Sequence, residues 1–232
     1  MEIIGAVALV LAVLLALPAA CLLLLTLAAG PGRRNRAAAP AAPAPLGALR
    51  VAILVPAHNE SQHLLPTLRC LQTQLLPGDR LLVIADNCSD DTAALARAAG
   101  AEVLERQHAS LRGKGYALAF GVDSLRKAPP DVVVVVDADC IVSTGGIQAL
   151  AQRCLQTQCP VQMLDLMVAP PGAGLRTRML EFAWLVKNKV RPLGSYRLGR
   201  ACHLMGTGMA LPWSLAASAR LATGHMRWGT SS

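Results

Sequence analysis

Val132-Val133-Val134-Val135-Val136-Asp137-Ala138-Asp139-Cys140 is the stretch whose reading decides the fold. Five consecutive β-branched residues suit a strand covered on both faces, as in the parallel sheets of α/β proteins. The run ends in two carboxylates one residue apart. In an open α/β sheet, ligands bind just beyond the carboxyl ends of the strands. Two acids placed there can share a hard divalent cation and a polar ligand such as a ribose or a diphosphate. A helix cap or a turn would use the same residues, so the neighbouring sequence has to decide.

Working outward, strand and helix patterns alternate. Val51 to Val55 is a short apolar run stopped by Pro56, and Ser61 can cap a helix from Gln62 to about Leu75 with Leu64, Leu65, Leu68 and Leu71 on one face. Leu81 to Ile84 reads as a second strand leading to Asp86, and Ser89 can cap a helix closed by Gly100. Glu102 to Leu104 is a brief third strand, followed by a helix from about Gly113 to Lys127. Beyond Cys140 the expectation is a helix from Gly146 to Gln156, a strand near Val161 to Val168, and a helix from Leu175 to Lys189. This alternation implies βαβ units on a mostly parallel sheet with flanking helices. Residues 50–232 are long enough to bury one substantial core.

Composition adds a membrane to this picture. Hydrophobic types make up 53% and charged types only 16%, well below the roughly 25% charged residues of an ordinary soluble domain. The excess lies at the front, because Ile3 to Ala29 contains no charged residue and exceeds the roughly 20 residues that span a bilayer. Residues 1–30 are therefore expected to form a single transmembrane anchor, and 31–49 a basic, Ala/Pro-rich linker. Arg33, Arg34 and Arg36 flank the span on one side against Glu2 on the other, which places the main domain in the cytoplasm. Net charge is +8, and +5 once the four arginines and Glu2 that precede Val51 are set aside. Such an excess suits a domain beside an anionic leaflet or one handling phosphorylated substrates. Aromatic residues at 3%, with no basic stripe among them, argue against nucleic acid. Seven scattered cysteines without a Cys-x-x-Cys pair support neither a disulfide framework nor a zinc site.

Three strand ends carry polar clusters: Pro56-Ala57-His58-Asn59-Glu60, Asp86 to Asp91, and Asp137-Ala138-Asp139. Parallel strands bring all three to one edge of the sheet. On a chain with only 14 acids, that convergence favours a site over a solvated rim. Arg112-Gly113-Lys114-Gly115 opens the following helix, where a helix N-terminus and basic side chains can hold a diphosphate, though Gly-Lys-Gly also serves as an ordinary loop. The phosphate-loop and dinucleotide glycine patterns are absent, which disfavours ATPase and dehydrogenase chemistry. His58 and His108 could serve as ligands, but a lone histidine is more often a surface or capping residue.

In this order and spacing the four motifs resemble family 2 glycosyltransferases, metal-dependent inverting enzymes of the GT-A fold, over about Val51 to Leu211. The resemblance implies a nucleotide-sugar donor, most often a UDP-sugar, a saccharide or lipid-linked acceptor, and Mg2+ or Mn2+ as cofactor. By position, Pro56, Ala57 and Glu60 would line the nucleotide pocket, Asp86 would contact the base, and Lys114 would lie beside base or diphosphate. Asp137 and Asp139 would be the metal-binding DxD pair, with Asp139 the direct ligand. Downstream, Asn188 to Gly194 and Gly206-Thr207-Gly208-Met209-Ala210 resemble segments of a membrane-anchored branch, where glycines admit a sugar or acceptor, or simply make a tight turn. The second motif departs from the family at Ala85, where paired acids are usual.

An inverting transferase also needs a general base for the acceptor hydroxyl. The family places an acid pair soon after the Gly-Thr-Gly segment, yet Met209 to Ser232 contains no Asp or Glu. Arg227-Trp228 matches only the end of the family's later Gln-x-x-Arg-Trp motif, and neither His203 nor Asp165 is recommended as a substitute by its spacing. The expectation is a chain truncated before its base motif. Two alternatives stand beside a transferase: a catalytically inactive, membrane-tethered nucleotide-sugar-binding fragment, and a nucleotidyltransferase. Pro56 to Glu60 argues against the latter, because a glycine-rich loop would normally occupy that place.

Overall fold

The structure is a computed structural model that describes residues 2–30, 49–200 and 203–219. The arginines at 33, 34 and 36, the Ala/Pro linker and the Arg227-Trp228 pair lie outside the described residues. The elements begin with α1 (Glu2–Ala29), β1 (Val51–Ala57), α2 (Leu64–Gln72), β2 (Arg80–Asp86), α3 (Thr92–Ala98) and β3 (Glu102–Arg106). They continue with α4 (Lys114–Leu125), β4 (Val132–Val135), α5 (Gly146–Thr157) and β5 (Val161–Gln162). Then come α6 (Leu175–Leu185), a π-helical turn (Val186–Val190), α7 (Arg191–Arg197), β6 (Met209–Pro212) and α8 (Trp213–Ser218). The chain divides into two compact units, Met1–Ala39 with Leu164–His203, and Pro40–Met163 with Leu204–Ser232.

The second unit holds one six-stranded sheet in the order β3-β2-β1-β4-β6-β5. The first four positions are mutually parallel, whereas β6 runs antiparallel to both β4 and β5. The period of two along each strand splits the core between the two faces of the sheet. Val51, Ile53, Val55, Val132, Val134 and Val136 pack with Leu64, Leu68 and Leu71 of α2 and with Ile147, Leu150 and Cys154 of α5. Ala52, Leu54, Val133 and Val135 face Ala117, Leu118, Val122 and Leu125 of α4. All five valines of the central run are at most 1% exposed, as expected of a strand covered on both faces. Contact with α4 is close at Gly121, where an added Cβ would lie 3.1 Å from Ile84 Cδ1 and 3.3 Å from Leu54 Cδ1.

Five expectations shift in detail. Helix α2 starts at Leu64 rather than at Gln62, and α3 at Thr92, because the Asp90 carboxylate, a stronger acceptor than the Ser89 hydroxyl, takes the Thr92 N–H at 3.1 Å. The strand read over Val161 to Val168 is confined to Val161 and Gln162. Helix expected to end at Lys189 instead runs through the π-turn into α7, since the wider turn accommodates Pro192, which has no N–H to give and sits in the first turn of α7. Finally, Met209 to Pro212 is a fully buried strand, β6, overlapping the end of a segment whose sequence read as glycines admitting a sugar or acceptor, or as a tight turn.

In the other unit, the Leu11–Ala29 part of α1 has a mean hydropathy of 2.6 and is long and apolar enough to cross a membrane. Arg197 Nη1 donates to the carbonyls of Ala28 (3.0 Å) and Gly30 (2.6 Å) at the C-terminal end of α1. Gly194 of α7 approaches the Leu25 carbonyl so closely that no Cβ would fit. Its missing side chain serves helix contact.

Candidate functional site

Carboxyl ends of β1, β2 and β4 and the N-terminus of α4 converge on one cleft of about 450 Å3. Pro56, Ala57 and Glu60 enter it from the end of β1, Asp86 from the end of β2, Lys114 from α4, and Asp137 and Asp139 from just beyond β4. His58, Asn87, Arg112 and Gly113 complete its polar lining. Every residue assigned by sequence to the donor pocket or the DxD pair thus lines the same cleft.

The floor is knitted between the loops after β1 and β2. Both loops bend through asparagines in the left-handed region, Asn59 at φ 54° and Asn87 at φ 53°, a conformation that asparagine tolerates better than most side chains. Asn59 Oδ1 accepts the Ser89 N–H at 2.8 Å, and the buried Thr92 hydroxyl accepts the Glu60 N–H at 2.9 Å while donating to Asp90 at 2.6 Å. That hydroxyl bond, with backbone N–H groups of Thr92 and Ser61 adding to it, holds the Asp90 carboxyl below the usual carboxylate range. Burial pushes the Cys88 thiol up, so it stays protonated beneath the loops.

Asp86 is nearly buried and faces Arg106, its register partner on β3. Arg106 Nη1 donates to Asp86 Oδ1 at 2.5 Å and Nη2 to the Leu111 carbonyl at 2.7 Å, and the guanidinium lies 5.7 Å from the Tyr116 ring centroid. Asn87 Nδ2 adds a second bond to the same Oδ1 at 3.0 Å. His58 Nδ1 is 2.7 Å from the Asp86 carbonyl, which can only accept, so Nδ1 carries a proton and donates it. His108 lies apart from the cleft lining; its Nδ1 accepts the N–H groups of Ser110 (3.3 Å) and Leu111 (3.0 Å) and braces the loop before α4.

At the opposite wall, Lys114 and Asp137 form an ion pair, each side chain about a third exposed. Thr207, 8% exposed, accepts the Asp137 N–H through Oγ1 at 3.0 Å. Gly206 and Gly208 flank it with φ values of +90° and +58°. A Cβ at Gly206 would stand 3.6 Å from Lys114 Nζ, so the segment lies directly against the lysine. Gln162 clamps it from β5, its Nε2 donating to the Thr207 carbonyl at 2.7 Å and its Oε1 accepting the Met205 N–H at 2.8 Å. The Gly-Thr-Gly segment therefore borders the cleft and fixes the backbone of the first DxD acid.

Asp137, Asp139 and Cys140 bring one potential ligand atom each to within 4.8 Å of one another. Two carboxylates would suit a hard divalent cation, whereas the Cys140 sulfur is a poor partner for Mg2+ or Mn2+. Asp139 is exposed and makes no ion pair among the described residues, while Asp137 is engaged by Lys114. The pair is thus unequal, with Asp139 the more available ligand. Of the substitute bases, Asp165 lies in the unit of α1, where its Oδ2 accepts from Trp184 Nε1 (3.2 Å) and Asn188 Nδ2 (3.0 Å). His203 belongs to that unit as well and is exposed.

Arg106 went unnoticed in the sequence. Its signal is relational: the last residue of β3 opposite the last residue of β2, which is visible only once the two strands are in register.

A family model described as glycosyl transferase family 2 matches residues 52–209. Among solved structures, the chain is similar to glucosyl-3-phosphoglycerate synthase from Mycobacterium tuberculosis in complex with uridine diphosphate, at 22% identity and a TM-score of 0.50, covering 72% of this chain and 58% of that one. It is also similar to a structure described as a mycobacterial protein, at 24% identity and a TM-score of 0.53, covering 74% of this chain and 56% of that one. The chain therefore spans little more than half the length of these structures, and they share its fold. No curated protein sequence matches it.

Proposed function

Because the chain belongs to glycosyl transferase family 2, we propose that it binds a nucleoside-diphosphate sugar, a UDP-sugar, and passes the sugar with inversion to a saccharide or lipid-linked acceptor. One observation carries this reading: four chain segments far apart in sequence deliver Pro56, Ala57, Glu60, Asp86, Lys114, Asp137 and Asp139 to one cleft. Uridine diphosphate in the mycobacterial synthase supports the choice of nucleotide. Pro56, Ala57 and Glu60 would line the nucleoside, Asp86 would meet the base, Lys114 and Arg112 the diphosphate, and Gly206-Thr207-Gly208 the sugar side of the cleft.

Asp139, with Asp137, would hold Mg2+ or Mn2+, which would neutralise the diphosphate so that a nucleoside diphosphate can leave. Lys114 would stabilise the same developing charge from the N-terminus of α4. Residues 1–30 would anchor the chain, 31–49 would link it, and 50–232 would form the transferase domain facing the cytoplasm. Within that domain the 164–203 segment groups with α1, which supports a membrane-proximal role for it.

Calorimetry on the whole chain in nanodiscs, with UDP and Mn2+, tests the assignment. Metal-dependent UDP binding that Asp139→Ala abolishes is expected; binding indifferent to metal and to this variant would overturn it. A second reading, a nucleotide-sugar-binding chain that does not itself transfer, is favoured by the lack of any Asp or Glu from Met209 to Ser232. Sugar transfer by the 232-residue chain would eliminate that reading.

A further inference from the structure

We propose that Arg106 sets the base preference of the cleft, by occupying one oxygen of Asp86 so that the other serves best a base whose ring N–H has no amino group beside it. The inference rests on the donor-binding reading above and narrows it to a chemical class, the dioxopyrimidine nucleotides.

Asp86 has two carboxylate oxygens, and the structure treats them differently. Oδ1 accepts both Arg106 Nη1 and Asn87 Nδ2. Oδ2 receives no hydrogen bond among the described residues, although the side chain is only 8% exposed and the residue lines the cleft. Asn87 cannot turn its amide over, because its Oδ1 accepts the His108 N–H at 2.7 Å and so fixes Nδ2 on Asp86. Arg106 is equally constrained by the Leu111 carbonyl and the Tyr116 ring. The planar guanidinium makes these contacts at once, which a lysine could not do.

A carboxylate free at both oxygens would be the natural partner of guanine, whose ring N–H and amino group form two adjacent donors. With Oδ1 filled, one acceptor remains. Uracil presents one N–H between two carbonyls and needs only that acceptor. Adenine and cytosine turn a ring-nitrogen lone pair toward the base-pairing edge, which an unprotonated oxygen repels. Thymine shares the edge of uracil, so UDP and dTDP both fit. Arg106 is a positioning residue in this scheme, since it acts on the nucleotide only through Asp86.

The test measures affinities of UDP, dTDP, GDP and CDP, each with Mn2+, for the whole chain in nanodiscs. The wild type should favour UDP and dTDP over GDP by roughly 10- to 100-fold, the range of one charge-assisted hydrogen bond. Arg106→Met should weaken UDP and compress the UDP-to-GDP ratio by about tenfold, a change in preference that simple loosening of the fold would not produce. Asp86→Asn is the second variant, informative even if Arg106→Met fails to fold. Arg106 would retain the amide oxygen, the amide N–H groups would face the base, and CDP should gain on UDP. A wild type indifferent to base, an Arg106→Met protein with the wild-type ratio, or an Asp86→Asn protein with unchanged UDP preference over CDP would overturn the inference. Binding without base preference would sink only the role of Arg106, whereas no nucleotide binding at all would sink the donor-site reading with it.

Discussion

Replacing Thr207 by valine removes one oxygen from the site at almost constant volume. In the structure that oxygen accepts the Asp137 N–H at 3.0 Å and its proton turns to Cys140 Sγ at 3.5 Å, in a position only 8% exposed. Valine leaves the Asp137 N–H without its acceptor, at a cost of about 1–3 kcal/mol for a buried unsatisfied group. For a domain of this size each kcal/mol corresponds to about 2–4 °C in Tm. Thr207→Val should therefore melt about 2–12 °C lower than wild type by thermal scanning. The same change frees the backbone that aims the first DxD carboxylate, so Mn2+-dependent UDP binding should weaken in step. Thr207→Ser keeps the hydroxyl and should recover most of the binding. A valine variant that melts and binds like wild type, or a serine variant no better than valine, would refute the assigned role of this hydroxyl.

Three further outcomes follow from the geometry. Gly121→Ala should destabilise the fold by about 1–3 kcal/mol, read in urea unfolding, because its methyl would press at 3.1 Å on Ile84 between α4 and the sheet. Burial pushes the Cys154 thiol up to about 12, so at pH 8 native Cys154 should resist iodoacetamide while the exposed Cys159 is alkylated, as peptide mass spectrometry would show. Asp90 and Glu102 are both held below their ordinary values, Asp90 first by the Thr92 hydroxyl and Glu102 first by its hydrogen bond from Arg80. Depressed folded values mean stability present above about pH 4 and lost as pH falls through the folded value, so Asp90→Asn and Glu102→Gln should each flatten the acid limb of a stability–pH curve.

What the sequence made legible was local. The valine run announces a doubly covered strand because five adjacent side chains say so without help from elsewhere, and the acids at three strand ends are placed by the parallel topology those strands imply. What it concealed depends on partners. β6 offers only Met209 to Pro212 after a glycine segment, too short to declare a strand until β4 and β5 stand on either side of it. The helix from α6 to α7 survives Pro192 through a π-turn that no periodicity announces. The Arg106–Asp86 pair exists only through strand register. Thr207, read as part of a glycine segment beside the sugar, also ties down Asp137 across 70 residues of sequence.

The contact between Lys114 and Asp137 has a consequence for how ligands cooperate. As the site stands, ammonium and carboxylate answer each other's charge. A cation drawn to Asp137 alone would strand Lys114, and a diphosphate drawn to Lys114 alone would strand Asp137. Arriving together, they exchange one internal pairing for two external ones. Metal and nucleotide should then each raise the other's affinity by the same factor, as linkage requires. On the proposed reading, the lysine would act as a placeholder that only the joint arrival of both ligands relieves.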